Sequence, residues 1–362
     1  AIPPTTLASR LPAETIFAIL SLSIPTRLLS ASSDNPSDTR KRYKTLKSCA
    51  LVCKSWRTPA CTLLWRHVAL VRRSRLTSWI DSPALGKYQI WSLEITGKLA
   101  WADAEEILGE DVGDVVERLE DGGGDFGLRS LSLGMFEGGV PKSVWESKAI
   151  SSIKHLSILS GTDLLAPSWA AQQEEAKLWS TISPSFQLTT LRVDACTKPM
   201  FETLLLSSQA TLKALRIPLY SLEGTHYPPE FGQYLHLISE TLEELVLYHS
   251  LPTTSTPFLK SLVNLRTIDL RPVAPYHPLT NEEIRTFLKW APGSLRKLIL
   301  HKESNAWTAA WRKEMEWAKR RRLPCMKGLK RVEIWAHTKW GPDVEWAKEL
   351  GEVGIEAEVL CY

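Results

Sequence analysis

The sequence predicts an α/β chain in which a short N-terminal helical module is followed by an irregular solenoid, with parallel strands on a concave face and helices on a convex one. Three observations carry this. A six-residue pattern, apolar-x-x-apolar-x-apolar, starts nine times between Ile90 and Leu329. Helix-like segments such as Thr280–Trp290 and 306–322 lie between the copies. Upstream of His67 the apolar residues follow a helical period instead. At 362 residues the chain can hold one large or two modest domains with a real core.

In chain order, residues 1–10 form a Pro/Thr/Ser leader, and a first helix starts at Pro12, carries Ile16, Phe17, Ile19 and Leu20 on its apolar side, and stops before Pro25. Residues 30–43 are expected to be a polar loop whose Arg40-Lys41-Arg42 is a solvated run. A second helix begins near Thr45, with Leu46, Cys49, Ala50, Val52, Cys53 and Trp56 on one side and Lys47, Ser48, Lys54 and Ser55 on the other. Thr58 as N-cap and Pro59 in the first turn are expected to open a third helix bearing Ala60, Leu63, Leu64 and Trp65. Leu51 is the misfit, an aliphatic side chain on the charged side of its helix that gains nothing unless a partner covers it.

His67–Leu70 reads as a strand and Arg75–Ile80 as a helix stopped by Asp81-Ser82-Pro83. The repeated pattern then starts at Ile90, Leu128, Ile153, Leu188, Leu212, Leu242, Leu265, Leu295 and Leu329, in steps of 23 to 38 residues. This is the leucine-rich-repeat kernel, one strand plus a returning segment that cannot bury its apolar face alone. Only Cys196 supplies the Asn or Cys that a regular repeat places at its turn, and several steps exceed the usual repeat length, so extra helix or loop is expected in 97–127, 160–187 and 301–328. Asp343–Leu350 as a helix and Ile355–Leu360 as a strand read as a terminal unit.

The net charge of +4 marks neither a nucleic-acid binder nor an acidic partner. Six cysteines without a paired framework indicate a reducing compartment, and no apolar run reaches the roughly 18 residues of a membrane span. Glu14 falls where a secretory signal would be apolar, so an intracellular, soluble protein is expected. Cys49, Cys53, Cys61 and His67 lack the convergent pairs of a zinc site, and Glu120–Asp125 lacks the Lys-Ser/Thr of a phosphate loop. No H-E-x-x-H or G-x-S-x-G spacing occurs, so no catalytic residue, metal or cofactor is assigned. Trp307, Trp311, Met315 and Ala318 form a helical stripe beside Lys319-Arg320-Arg321-Arg322, and a core-facing stripe with a helix-terminal charge run is the preferred reading over base stacking.

Leu11-Pro12-x-Glu14-x-Ile16-x-x-Ile19-Leu20, followed by Ala50-Leu51-Val52-Cys53-Lys54-Ser55-Trp56-Arg57 and a trailing Leu63-Leu64-Trp65-Arg66, resembles an F-box over residues 11 to about 70. The connection between its first two helices, Ser30–Tyr43, is longer and more polar than such modules usually have. The resemblance implies a three-helix module at residues 1–70, followed by a substrate-binding solenoid at 71–362. It implies the substrate receptor of an SCF-type ubiquitin ligase, with no catalytic group of its own, working in the cytoplasm or nucleus. Leu11, Pro12, Glu14, Ile16, Leu51, Val52, Cys53 and Trp56 would bind a Skp-family adaptor and through it a cullin–RING core. The alternative is a leucine-rich-repeat scaffold that assembles no ligase, with the helical module as a cap. An exposed Leu51 is expected of an adaptor surface and not of a cap.

By strand alternation the third, fifth and seventh kernel positions face the concave side. They place His155, Thr190, Arg192, Asp194, Arg216, Glu244, Tyr248, Asp269, Arg271, Lys297, His301, Arg331, Glu333 and Trp335 there. Of these, Arg192, Arg216, Tyr248, Arg271, Lys297, His301, Arg331 and Trp335 are the candidate substrate-binding residues. From Arg271 onward the set reads as mainly basic with an aromatic anchor, predicting an acidic or phosphorylated target segment held by Arg271 and Arg331.

Overall fold

The computed structural model describes residues 11–23, 36–96, 107–121, 127–134, 136, 139–159, 177–193, 195–217, 220–221, 231–248, 256–271, 280–302, 305–336 and 341–361. The chain forms two compact units, Ala1–Leu165 and Ala166–Tyr362. No described helix is long and apolar enough to cross a membrane.

The first unit opens with helices α1 (Ala13–Ser23), α2 (Pro36–Val52) and α3 (Lys54–Arg66). Ile16, Leu20, Leu46, Ala60 and Leu63 are buried together, with Leu11, Phe17, Cys49, Ala50, Trp56 and Leu64 packed around them. Two expectations change here. The polar stretch 36–43 is helix rather than loop, and α2 starts at Pro36, where a missing N–H and a fixed φ suit the first helical residue. The joint between α2 and α3 is Cys53, not Thr58. Cys53 is extended, φ −163° and ψ 170°, and its carbonyl accepts the N–H groups of both Trp56 and Arg57, so α3 is already wound when it reaches the buried Pro59. Thr58 therefore caps nothing; its carbonyl accepts from Thr62 Oγ1 within the helix.

Strands β1 (His67–Leu70), β2 (Ser92–Ile95), β3 (Ser130–Gly134) and β4 (His155–Leu159) follow, with α4 (Arg73–Ile80), α5 (Gly109–Asp121) and α6 (Lys142–Glu146) between them. Each strand pairs in parallel with its predecessor in the chain. The second unit continues with β5 (Thr190–Val193), β6 (Ala214–Ile217), β7 (Glu244–Tyr248), β8 (Thr267–Arg271), β9 (Lys297–His301), β10 (Arg331–Ala336) and β11 (Glu356–Cys361), again parallel and in chain order. Its helices are α7 (Lys198–Ser208), α8 (Phe231–Leu237), α9 (Asn281–Trp290), α10 (Asn305–Arg320), α11 (Pro324–Gly328) and α12 (Gly341–Glu352). Chain-order parallel strands with intervening helices are the pattern a repeat solenoid requires.

All nine kernels are strands, and the reason is visible in their burial. The first residue of every kernel, from Ile90 to Leu329, is buried, as are the fourth and sixth wherever the side chain is described. Helix ends are set by local chemistry where the sequence offers it. Thr280 and Glu283 form a capping box at α9, with Thr280 Oγ1 accepting from Glu283 N at 3.2 Å and Glu283 Oε2 accepting from Thr280 N at 2.7 Å. The tryptophan stripe of α10 faces inward: Trp307, Trp311, Met315 and Ala318 are buried, and Trp311 meets Phe287 of α9 edge-on at 6.0 Å. Glu314, fully buried on the same helix, is held in a fork by Arg285, 2.8 and 3.1 Å, which is how a buried carboxylate is tolerated. The terminal unit is anchored likewise, with buried Asp343 accepting from Lys302 and Thr308, each at 2.6 Å.

Candidate interaction surfaces

The helical module presents apolar side chains that its own core does not use. The inner side of α2 is spent on Leu46, Cys49 and Ala50, while at its end Leu51 is 86% and Val52 62% exposed. On α1, Leu22, which the sequence motif did not single out, is exposed, and so is Ile19, which was expected on the packed side of the helix. Of the residues assigned to adaptor binding, Pro12, Glu14, Leu51 and Val52 are at the surface. Leu11, Cys53 and Trp56 are half-buried, and Ile16 is entirely inside the module, so its contribution is to hold the helices rather than to meet a partner. The Cys53 thiol is held below its usual value chiefly by a 3.0 Å hydrogen bond with the Ser55 hydroxyl.

The outward face of the second sheet is an ordered array, because strand register stacks equivalent kernel positions. Glu244, Thr267, Lys297, Arg331 and Glu356 form one row, and Val246, Asp269, Ile299, Glu333 and Glu358 the next. Tyr248 pairs with Arg271, and His301 with Trp335. Asp269, only 4% exposed, bonds to Arg271 Nε at 2.8 Å and to His301 Nε2 at 2.9 Å, and the His301 ring stacks on Trp335 at 6.2 Å with 11° between planes. Lys297 pairs with Glu333 at 2.9 Å. Arg331 reaches three carboxylates: Glu333 at 3.0 Å, a charge contact without hydrogen-bond alignment, Glu356 at 3.3 Å and Glu358 at 2.9 Å.

This corrects the expected mainly basic patch. The cations Arg271, Lys297 and Arg331 face five carboxylates, Glu244, Asp269, Glu333, Glu356 and Glu358, and each is committed to at least one. Burial alone would raise the Asp269 carboxyl, but the His301 bond and the Arg271 charge hold it below its usual value. Glu244 keeps solvent access, yet the density of protein around its carboxyl, with the Asp269 charge, pushes it up. Glu356 and Glu358, the residues that the kernel reading missed, lie on β11, which carries no kernel and so gave no register to read.

The remaining assigned residues are scattered. Arg192 and Arg216 are register partners on β5 and β6, both half-buried. Tyr248 ends β7, and its side chain, like Asp194, lies outside the described residues. His155 belongs to the first unit, where burial lowers its affinity for a proton.

Comparison with known proteins gives no family name: no protein-family model matches the chain, and no curated protein matches it.

Proposed function

We propose that the chain is the substrate-recognition subunit of an SCF-type ubiquitin ligase, binding a Skp-family adaptor through residues 11–70 and a protein target through the strand-and-helix repeats. The observation that carries this reading is the exposure of Leu51 and Val52 at the end of α2, within the stretch whose Leu-Pro-x-Glu and Val-Cys-Lys-x-Trp-Arg elements resemble an F-box. A helix with its inner side already packed has no structural use for two adjoining aliphatic groups in water, whereas burying each against a partner contributes about 1.5–3 kcal/mol. Such a subunit accelerates ubiquitin transfer by holding the target near the charged conjugating enzyme, so the chemistry needs positioning and no reactive group in this chain.

The test is recovery of a Skp-family adaptor on the purified full chain. Leu51→Asp with Val52→Asp is expected to lower adaptor affinity at least about 100-fold, from the burial free energy of the two side chains, with an unchanged thermal midpoint. This pair is preferable to changing Leu11-Pro12, because Leu11 packs on the module core and its loss would confuse folding with binding. Undiminished adaptor recovery by the double variant sinks the assignment. A chain that recovers no adaptor at all favours the plain repeat scaffold.

A further inference from the structure

A group of second-unit cations that the outward face does not use lies along one edge of its sheet. The residue just before each strand forms a ladder there: Glu243, Arg266, Arg296 and Lys330 each donate a main-chain N–H to the carbonyl of the member before, beginning at Lys213, over 2.7 to 2.8 Å. Four of the five are basic. Glu243 is taken by Lys213 at 2.9 Å, which, with Arg266 further off, holds its carboxyl below the usual value. The helices between the strands end at this same edge, and α10 brings its basic run with it. Two contacts fix the placement. A Cβ at Gly293, just before β9, would lie 3.5 Å from Pro324 of α11. Arg296 donates to the Gly328 carbonyl at 2.9 Å, and Gly328 is packed so closely that a side chain there would collide with the Gly293 carbonyl.

Arg266, Arg321, Lys327 and Lys330 are all exposed, and none has an ion pair among the described residues. Cations at helix C-termini are favoured by the helix dipole, which accounts for Lys319 and Lys327 but not for Arg266, Arg296 and Lys330 before the strands. A second feature concerns Arg322. The end of α10 closes with Leu323 N–H to Ala318 O at 3.1 Å and Arg322 N–H to Lys319 O at 2.9 Å, a Schellman pattern that puts Arg322 at φ 54°. Glycine is the residue that takes this conformation without steric penalty, so the arginine here sits against its backbone preference. Of the tryptophans on α10, Trp307 and Trp311 are buried in the core, and half-buried Trp317 has the Arg285 guanidinium over its ring at 5.0 Å, which disfavours base stacking there. Three successive strand starts span about 10 Å, the length of roughly three residues of extended peptide.

We propose that this strand-start edge, centred on Arg266, Arg321, Arg322 and Lys330, docks a short acidic segment of a partner protein, with carboxylate or phosphate groups as the recognised anions. The inference rests on the reading of the repeats as the target-binding part, and moves the target from the self-paired outward face to the unpaired edge.

The experiment measures fluorescence anisotropy of three labelled probes on the purified full chain: a hexaglutamate peptide, a peptide with three phosphoserines spaced by alanine, and a dodecathymidylate strand. One or both peptides should bind with an affinity that falls as salt rises, and the tighter names the anion. Arg266→Glu, Arg321→Glu and Lys330→Glu together should weaken peptide binding at least ten-fold, and the corresponding glutamine triple should do so by less, with unchanged thermal midpoints. Arg322→Gly should raise the thermal midpoint while weakening the peptide several-fold, a split that a purely structural arginine would not give. Equal binding by the wild type and the charge-reversed triple, or no peptide binding at low salt, overturns the proposal. Tighter binding of the oligonucleotide than of either peptide overturns the choice of partner. Adaptor recovery by the charge-reversed triple should match the wild type, so loss of peptide and loss of adaptor report separately on this site and on the ligase reading.

Discussion

The two units use the same buried scaffold and dress its outward face differently. In the first unit most outward positions are small, Ala69 on β1, Ser92 on β2, Ser130, Ser132 and Gly134 on β3 and Ser157 on β4, and His67, Glu94, His155 and Leu159 share their rows. In the second many are long and charged, with Asp269, Arg271, Lys297, Arg331 and Glu333 bridging β8, β9 and β10 among the uncharged Val246, Thr267 and Ile299. The parallel ladder and kernel core are common to both, so neither needs its outward face to form. The charged face adds side-chain links between neighbouring strands of the second unit, and those links tie its register to protonation.

The largest effect that would break this contrast is removal of Asp269. Asp269→Ala leaves the Arg271 and His301 partners on the face without their carboxylate; for a fully buried pair that costs about 3–5 kcal/mol, and with Arg271 partly solvated about 2–3 kcal/mol is expected. Hydrogen exchange followed by mass spectrometry should show faster exchange in β7–β9 and unchanged exchange in β1–β4. Exchange rising equally in both units would mean that the face is not a local lock.

The same pair gives the second unit an acid limit. A carboxyl depressed in the folded state contributes stability that is present above its ordinary value of 3.8 and lost as pH falls through the lower folded value. Glu244, which is raised, works the other way and should be changed to Gln in the background. Stability of that background is expected to fall below about pH 4 through Asp269, and Asp269→Ala should make the fall shallower; identical acid slopes would refute the coupling.

A smaller change sharpens the comparison. Arg331→Gln removes contacts to Glu333, Glu356 and Glu358, of which the last two are exposed, so a loss of about 1 kcal/mol that shrinks in high salt is expected from equilibrium urea unfolding. The smallest effect belongs to the first unit. Ser157 is buried at 2% with its hydroxyl unpartnered, and Ser157→Ala should be neutral or stabilise by up to about 1 kcal/mol in the same assay. A clear destabilisation there would show that the small-residue face does more than stay out of the way.

What could be read from the residues follows from how each feature is encoded. The kernels, the inward Trp307–Trp311–Met315 stripe and the terminal α12–β11 unit were legible because burial imposes a period, and periods survive in one dimension. The start of α2 was not, since residues 36–43 carry no apolar period and only Pro36 hinted at a helix. The break at Cys53 was missed for a related reason: cysteine is no capping residue, and its extended backbone is set by how α2 and α3 pack. The outward face was half legible. Alternation placed Arg271, Lys297 and Arg331 together, but which carboxylates they would meet depended on the register of β11. The strand-start edge was invisible, because residues such as Arg266 and Lys330 are 64 positions apart in the chain and two strands apart in the sheet.

Among the described residues β11 has a strand neighbour on one side only, leaving a row of main-chain donors and acceptors without a sheet partner on the other. Such an edge is a template for pairing with another chain. Its outward side chains, Glu356 and Glu358, therefore have a role beyond Arg331: two like charges on the rim repel a second copy that tries to extend the sheet. Arg331 neutralises part of that repulsion. That strand thus sits between being fastened and being guarded, and whatever silences its glutamates, whether acid or a Glu→Gln pair, should increase edge-to-edge assembly, read as a rise in light scattering over the unchanged chain.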